Sequence, residues 1–139
     1  DEMQAAVKVP IFNIIEETRK RVQNFGYKKV GLFASESTCN LGLYQNKFKE
    51  LGIEVITPNI KHQKILNLVI KHVMGGKREE TEDIIFLKNI ARDYISKGAE
   101  AIVMGCTEIP LAINQSHTDI KLFDTIEIIV QSAVDYSLR

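Results

Sequence analysis

Two cysteines in a chain of 139 residues, Cys39 and Cys106, are too few to make a disulfide framework. A fold of this size then rests on its own core, and such thiol usage fits a reducing cytoplasm. Net charge is missing as well: 18 acidic and 18 basic side chains cancel. No overall field therefore draws the chain to nucleic acid or to an anionic membrane. No apolar run is long enough to span a bilayer, no signal peptide opens the chain, and no low-complexity tract or solenoid-length repeat is present. Gly75-Gly76-Lys77 lacks the spacing of a phosphate-binding loop. His62, His72 and His117 are scattered without metal-ligand spacing, so they are read as solvated or capping residues and no metal site is expected.

What is present is an ordinary globular mix, 45% hydrophobic and 26% charged, enough for one domain with a real core. The first residue is Asp1 rather than Met, which suggests a chain that begins inside a longer reading frame. Residues 1–6 read as the remnant of a preceding helix or linker. Val7 to Phe12 is β-rich, with Pro10 setting it at a strand edge. Asn13 to Phe25 has helical spacing and ends at Gly26, and Lys29 to Ala34 is a short strand of the buried kind. Ser35 to Asn40 reads as a polar loop. Leu41 to Leu51 is a helix closed by Gly52, and Ile53 to Ile56 a strand closed by Pro58. Two apolar-faced helices follow, His62 to Met74 and Glu79 to Ser96, separated by Gly75-Gly76. Ala101 to Met104 is a strand, Lys121 to Phe123 a final short one, and Thr125 to Tyr136 a last helix that Asp124 can cap. Strands alternating with helices predict an α/β fold: a parallel sheet of about four strands with helices on both faces. Right-handed crossovers set the loops after Ala34, Ile56 and Met104 on one rim.

The stretch Ala101 to Pro110 organises the rest. An apolar strand stops at Gly105, and Cys106-Thr107-Glu108-Ile109-Pro110 reads as the start of a helix running to about Asn114, with Thr107 as its cap. Strand-to-helix corners of this kind are where open α/β sheets bind ligands. A thiol at a helix N-terminus is expected to have a lowered pKa. Cys106 is thus either a functional thiol or a small residue closing a strand, and the local pattern admits both. Glu108 reads equally as a first-turn acid and as a group acting near the thiol.

Gly105-Cys106-Thr107-Glu108, preceded by Gly98-Ala99-Glu100, resembles the aspartate/glutamate racemase family. So do Val9 to Thr18, Val30 to Ser35 with Thr38 and Gly42-Leu43-Tyr44-Gln45, Gly52 to Pro58 with Gln63, and Phe123-Asp124-Thr125. The resemblance covers nearly the whole chain. It implies a cofactor-independent racemase of two similar α/β domains, each supplying one catalytic cysteine. The family's first-half motif is absent here, so the chain resembles the C-terminal half only. Residues 7–117 would form that second domain. Residues 118–139 would be a C-terminal segment and helix packing on the missing first domain or on a partner.

By this resemblance Cys106 is one thiol acid/base, Thr107 orients substrate or thiol, and Ser37 and Thr38 receive the α-carboxylate of a small amino acid. Ser37, Leu41 and Met74 stand where the family has glycine, serine and a lysine associated with an acidic substrate side chain, and Lys77 lies close by. Cys39 matches no family catalytic position and reads as a bystander thiol early in a helix. Its pairing with Cys106 needs Cα atoms within roughly 7 Å. An apolar face left bare by the missing half predicts a homo-oligomer. A non-catalytic carboxylate-binding or assembly module is the alternative from another class, and a redox-sensing Cys106 a third.

Overall fold

A computed structural model of the chain describes residues 2–139. The expected sheet is there. Strands β1 (Lys29–Phe33), β2 (Glu54–Ile56), β3 (Ala101–Met104) and β4 (Leu122–Asp124) form one sheet in the order β2-β1-β3-β4, and every pairing is parallel. Val30 pairs with Val55 on one side and Ala101 on the other, and Val103 pairs with Phe123. The central strands, Val30 to Phe33 of β1 and all of β3, are apolar and buried because both of their faces are covered, as parallel sheets require.

Side-chain alternation sorts the core into two layers. Val30, Leu32, Ala101 and Val103 face helices α2 (Ile14–Asn24), α4 (Leu43–Lys49) and α7 (Thr125–Ser137) through Val22, Tyr44, Phe48 and Ile128. Phe33, Ile102 and Met104 face α5 (Ile60–Met74) and α6 (Thr81–Ser96) through Leu66, Val69, Leu87, Ile90 and Tyr94. Gly31 has no side chain because the Tyr94 ring occupies the space a Cβ would need. Asparagine and aspartate start three of the helices. Asn13 accepts from the Ile15 and Glu16 N–H groups, Asn59 from that of His62, and Asp124 from those of Ile126 and Glu127.

Three expectations need correction. Val7 to Phe12 is not a strand. The short helix α1 (Glu2–Ala6) carries Gln4, whose side chain takes the backbone groups a sheet neighbour would use. Its Nε2 donates to the Val9 carbonyl at 3.0 Å and its Oε1 accepts from the Ile11 N–H at 2.8 Å. Pro10 has no N–H to offer a ladder. Second, Ser35 to Asn40 is not a loop: Ser35 caps a five-residue helix, α3 (Glu36–Asn40). The helix expected from Leu41 begins instead after Gly42, whose left-handed backbone (φ 66°) breaks the chain between α3 and α4. Third, no α-helix starts at Thr107. Residues 106–108 are a bend, followed by 3-10 turns at Ile109–Leu111 and Gln115–His117.

Helix α7 packs on α2, with the Ser132 hydroxyl donating to Glu17 at 2.9 Å and the Tyr136 ring meeting Phe12 edge-on. Its outer side shows Ile126, Val130 and Val134, spaced four apart and exposed. The histidines serve structure. His117 completes a capping box with Asn114, His72 hydrogen-bonds both oxygens of the buried Asp83, and His62 lies edge-on to Tyr94. No helix among the described residues is long and apolar enough to cross a membrane.

Candidate active site

Strands β1 and β3 are neighbours, yet the chain leaves β1 towards β2 on one side and reaches β3 on the other. Connections diverge there, and the crevice beyond those two strand ends is the ligand position of open α/β sheets. Phe33 and Met104 are register partners at the rim, and the Gly105 N–H donates to the Phe33 carbonyl at 2.8 Å. The Ser35–Asn40 segment and the Gly105–Glu108 turn therefore rise from adjacent positions.

Gly105 is fixed by close approach. A Cβ there would lie 2.9 Å from Leu32 Cδ1 and 2.9 Å from Tyr44 Cε2, so only glycine lets the turn settle on that ring. Cys106 follows, half-buried, and its thiol donates to Glu108 Oε2 at 2.8 Å. The Thr107 hydroxyl donates to the same oxygen at 3.0 Å. One carboxylate oxygen thus gathers both donors.

This overturns the expected lowering of the thiol pKa. No α-helix begins here, and although the backbone N–H groups of Glu108 and Ile109 favour the thiolate, burial and the neighbouring Glu108 carboxylate outweigh them. Burial first, and the Glu108 carboxylate second, push the Cys106 thiol up from 9.0 to about 11. Glu108 moves the other way, held below the usual carboxylate range chiefly by the thiol hydrogen bond, with Thr107 adding to it and burial opposing. At neutral pH the pair is a protonated thiol on an ionised carboxylate. Such a pair is set to give a proton outward from sulfur, with a base beside the sulfur to take one up.

Thr107 is exposed, and its hydroxyl is engaged by Glu108 rather than capping a helix. Thr38 is also engaged. Its hydroxyl lies 3.0 Å from Ser35 Oγ, which accepts from the Thr38 N–H at 3.3 Å. Ser37 is exposed in the first turn of α3. Cys39 is half-buried, with its thiol pushed up by burial, and it borders a cavity of about 290 Å³ with Asn40, Thr57, Asn59 and Gln63. That cavity lies towards β2 and is not lined by Cys106. Both thiols are free.

Two residues at the site went unread in the sequence as site residues. Tyr44, 3% exposed, lays its ring on Gly105, and burial pushes its hydroxyl up to about 12. Thr125, 1% exposed, donates to the Met104 carbonyl at 2.8 Å. Their positions in motifs that resemble family segments were the available signal.

The fold and rim define an α/β domain with a thiol–carboxylate pair at the switch point of a parallel sheet. Residues 1–133 match the model of the Asp/Glu/Hydantoin racemase family. The chain belongs to that family. It is 26% identical over 134 residues to the broad specificity amino-acid racemase RacX of Bacillus subtilis (strain 168), covering 96% of this chain and 57% of that protein. A glutamate racemase of Limosilactobacillus reuteri (strain DSM 20016) is 22% identical over 127 residues, which are 91% of this chain and 45% of the relative. Among solved structures, an aspartate racemase homologue from Pyrococcus horikoshii OT3 superposes with a TM-score of 0.88 at 26% identity, covering all of this chain and 61% of the other. A putative Asp/Glu racemase from Yersinia pestis gives 0.87 at 28%, with the same coverage. The chain thus spans between about half and three-fifths of the length of these relatives.

Proposed function

We propose that this chain supplies one of the two proton carriers of a cofactor-independent amino-acid racemase, with Cys106 as the carrier. The observation that carries the reading is the 2.8 Å thiol–carboxylate pair at the switch point of a family fold. Inverting an α-carbon requires one group to remove the α-proton and another, on the opposite face, to deliver one. The resting Cys106 thiol suits delivery. After it gives its proton to the α-carbanion, the thiolate is the base for the reverse direction. Glu108 Oε2, within hydrogen-bonding reach, takes up or returns the sulfur proton between turnovers. The opposite carrier belongs to a second α/β domain, either elsewhere in the same polypeptide or on another copy.

The α-carboxylate of the substrate is assigned to the first turn of α3. Thr38 is committed to Ser35, so the hydroxyl and N–H of Ser37 and the N–H of Glu36 are the donors left for it. Thr107, hydrogen-bonded to Glu108, orients the carboxylate that faces the thiol. The substrate class is an acidic or related amino acid, by analogy with relatives named as aspartate and glutamate racemases. Met74, exposed at the end of α5, replaces the cation expected for an acidic side chain and favours a broader range of amino acids.

The test is exchange of the substrate α-proton with deuterium by the complete gene product, with and without Cys106→Ser. Exchange that depends on Cys106 supports the reading. Binding of a small carboxylate with no exchange would instead favour a non-catalytic binding module, which the protonated resting state of the thiol also suits.

A further inference from the structure

The thiol and the carboxylate meet on a segment, Gly105 to Leu111, that has neither an α-helix nor a strand to hold it. Its start is pinned to the sheet by the Gly105 N–H on the Phe33 carbonyl at 2.8 Å. Its end is pinned from another part of the chain. Glu79, exposed in the loop between α5 and α6, donates its N–H to the Leu111 carbonyl at 3.3 Å, and Leu111 donates its own N–H to the Glu108 carbonyl at 3.0 Å. Among the described residues Glu79 is the one non-glycine with a left-handed backbone (φ 51°). A residue with a side chain rests there only where its surroundings hold it. Glu79 Oε1 accepts from Asn114 Nδ2 at 2.5 Å. Asn114 is fixed in turn, by its N–H on His117 Nδ1 at 3.1 Å and by the Ser116 N–H on its Oδ1 at 2.9 Å.

We propose that Glu79 is a positioning residue for the Cys106–Glu108 pair: its carboxylate, anchored on Asn114, holds its backbone left-handed, and that backbone presents the N–H that fixes the far end of the turn. Without the anchor the chain at 79 relaxes to an ordinary conformation and its N–H leaves Leu111. The segment is then held at the Gly105 end alone, and Glu108 is free to swing away from the 2.8 Å contact with the thiol. Glycine is the exception among substitutions here. It takes the left-handed conformation with no anchor, so it keeps the N–H on Leu111. The agent is thus the backbone of residue 79 and not its charge. Among the described residues the titratable groups on the turn are Glu108, hydrogen-bonded to the thiol, and Tyr44, whose ring packs on Gly105 from α4 and whose hydroxyl burial pushes up to about 12.

The inference rests on the proposed role of Cys106, but its test reads the thiol alone and needs no turnover. The complete gene product is alkylated with iodoacetamide across a pH series, and the rate is read by mass spectrometry on the peptide that carries Cys106. Glu79→Ala loses both the anchor and the left-handed backbone. With the Glu108 carboxylate no longer held against the thiol, the alkylation midpoint should fall by about half a pH unit. Glu79→Gly loses the same charge and keeps the backbone, while Glu79→Gln keeps an acceptor for Asn114. Both should leave the midpoint at its wild-type value. Glu79 is exposed, so none of these changes empties the core. A midpoint unchanged or raised in Glu79→Ala overturns the proposal even if the melting temperature falls, since Glu79 would then only brace its loop. Equal shifts in Glu79→Ala and Glu79→Gly overturn it as well, because the lost charge would be the cause. The predicted pattern in a protein that exchanges no α-protons would leave the Glu79 assignment standing and remove only the racemase reading.

Discussion

Cys106 and Glu108 are two residues apart in sequence and share one proton-bearing contact, and that contact reverses what a cysteine at such a corner is expected to be. A thiol paired with a carboxylate inside a half-buried rim is held protonated. The consequence reaches stability. Cys106 has its pKa raised from 9.0 to about 11 and Tyr44 from 10.0 to about 12, and both are acids kept neutral by the fold. The unfolded chain loses these protons first. Their contribution to stability is therefore complete below about pH 9, and it falls as pH rises through 9 to 11 for Cys106 and through 10 to 12 for Tyr44. Thermal unfolding followed from neutral to alkaline pH should show the melting temperature beginning to drop near pH 9, and Cys106→Ala should lessen the lower-pH part of that drop, leaving the share that comes from the Cys39 thiol, which burial also pushes up. A slope identical in wild type and variant would mean that Cys106 titrates at its ordinary value.

At the scale of elements, the turn after β3 depends on a missing side chain. Gly105 lies under Leu32 and the Tyr44 ring, both in the core on that face of the sheet. Gly105→Ala should cost about 1–3 kcal/mol, the range for overpacking a filled site. It should lower the melting temperature and push Tyr44 away from the Cys106 turn. A variant as stable as wild type would show that the turn has room to shift. The same turn also marks where reading the sequence failed. The central strands and the long helices were legible, because burial on both faces makes Val30 to Phe33 and all of β3 apolar and because α5 and α6 keep an apolar stripe. Short rim segments are decided by single side-chain-to-backbone bonds that have no periodicity. Gln4 holds 7–11 out of the sheet, Ser35 winds Glu36 to Asn40 into a helix, and Glu108 takes the Thr107 hydroxyl that a helix cap would have used. Cys106 itself was legible from its position after a buried strand and a glycine. Its protonation state was not, since that follows from how Glu108 folds back.

For the molecule as a whole, a four-stranded sheet closed on both faces leaves little apolar surface without a purpose. The stripe Ile126, Val130 and Val134 on α7 is such a surface, and residues 7–11 add exposed Val7, Val9 and Ile11. Exposed apolar patches of this kind accompany association. Val130→Glu with Val134→Glu should abolish self-association in sedimentation experiments. Folding should change by no more than about 0.5 kcal/mol, because these side chains are open to solvent. A chain that is monomeric before the substitutions would remove self-association from the account.

The central claim is that Cys106 carries the α-proton, and isotope exchange tests it most directly. The complete gene product is incubated in deuterium oxide with single L-amino acids, and loss of the α-proton signal is followed together with formation of the D-enantiomer. The account predicts exchange and inversion in the wild-type protein and neither in Cys106→Ser. Undiminished exchange in Cys106→Ser would contradict it.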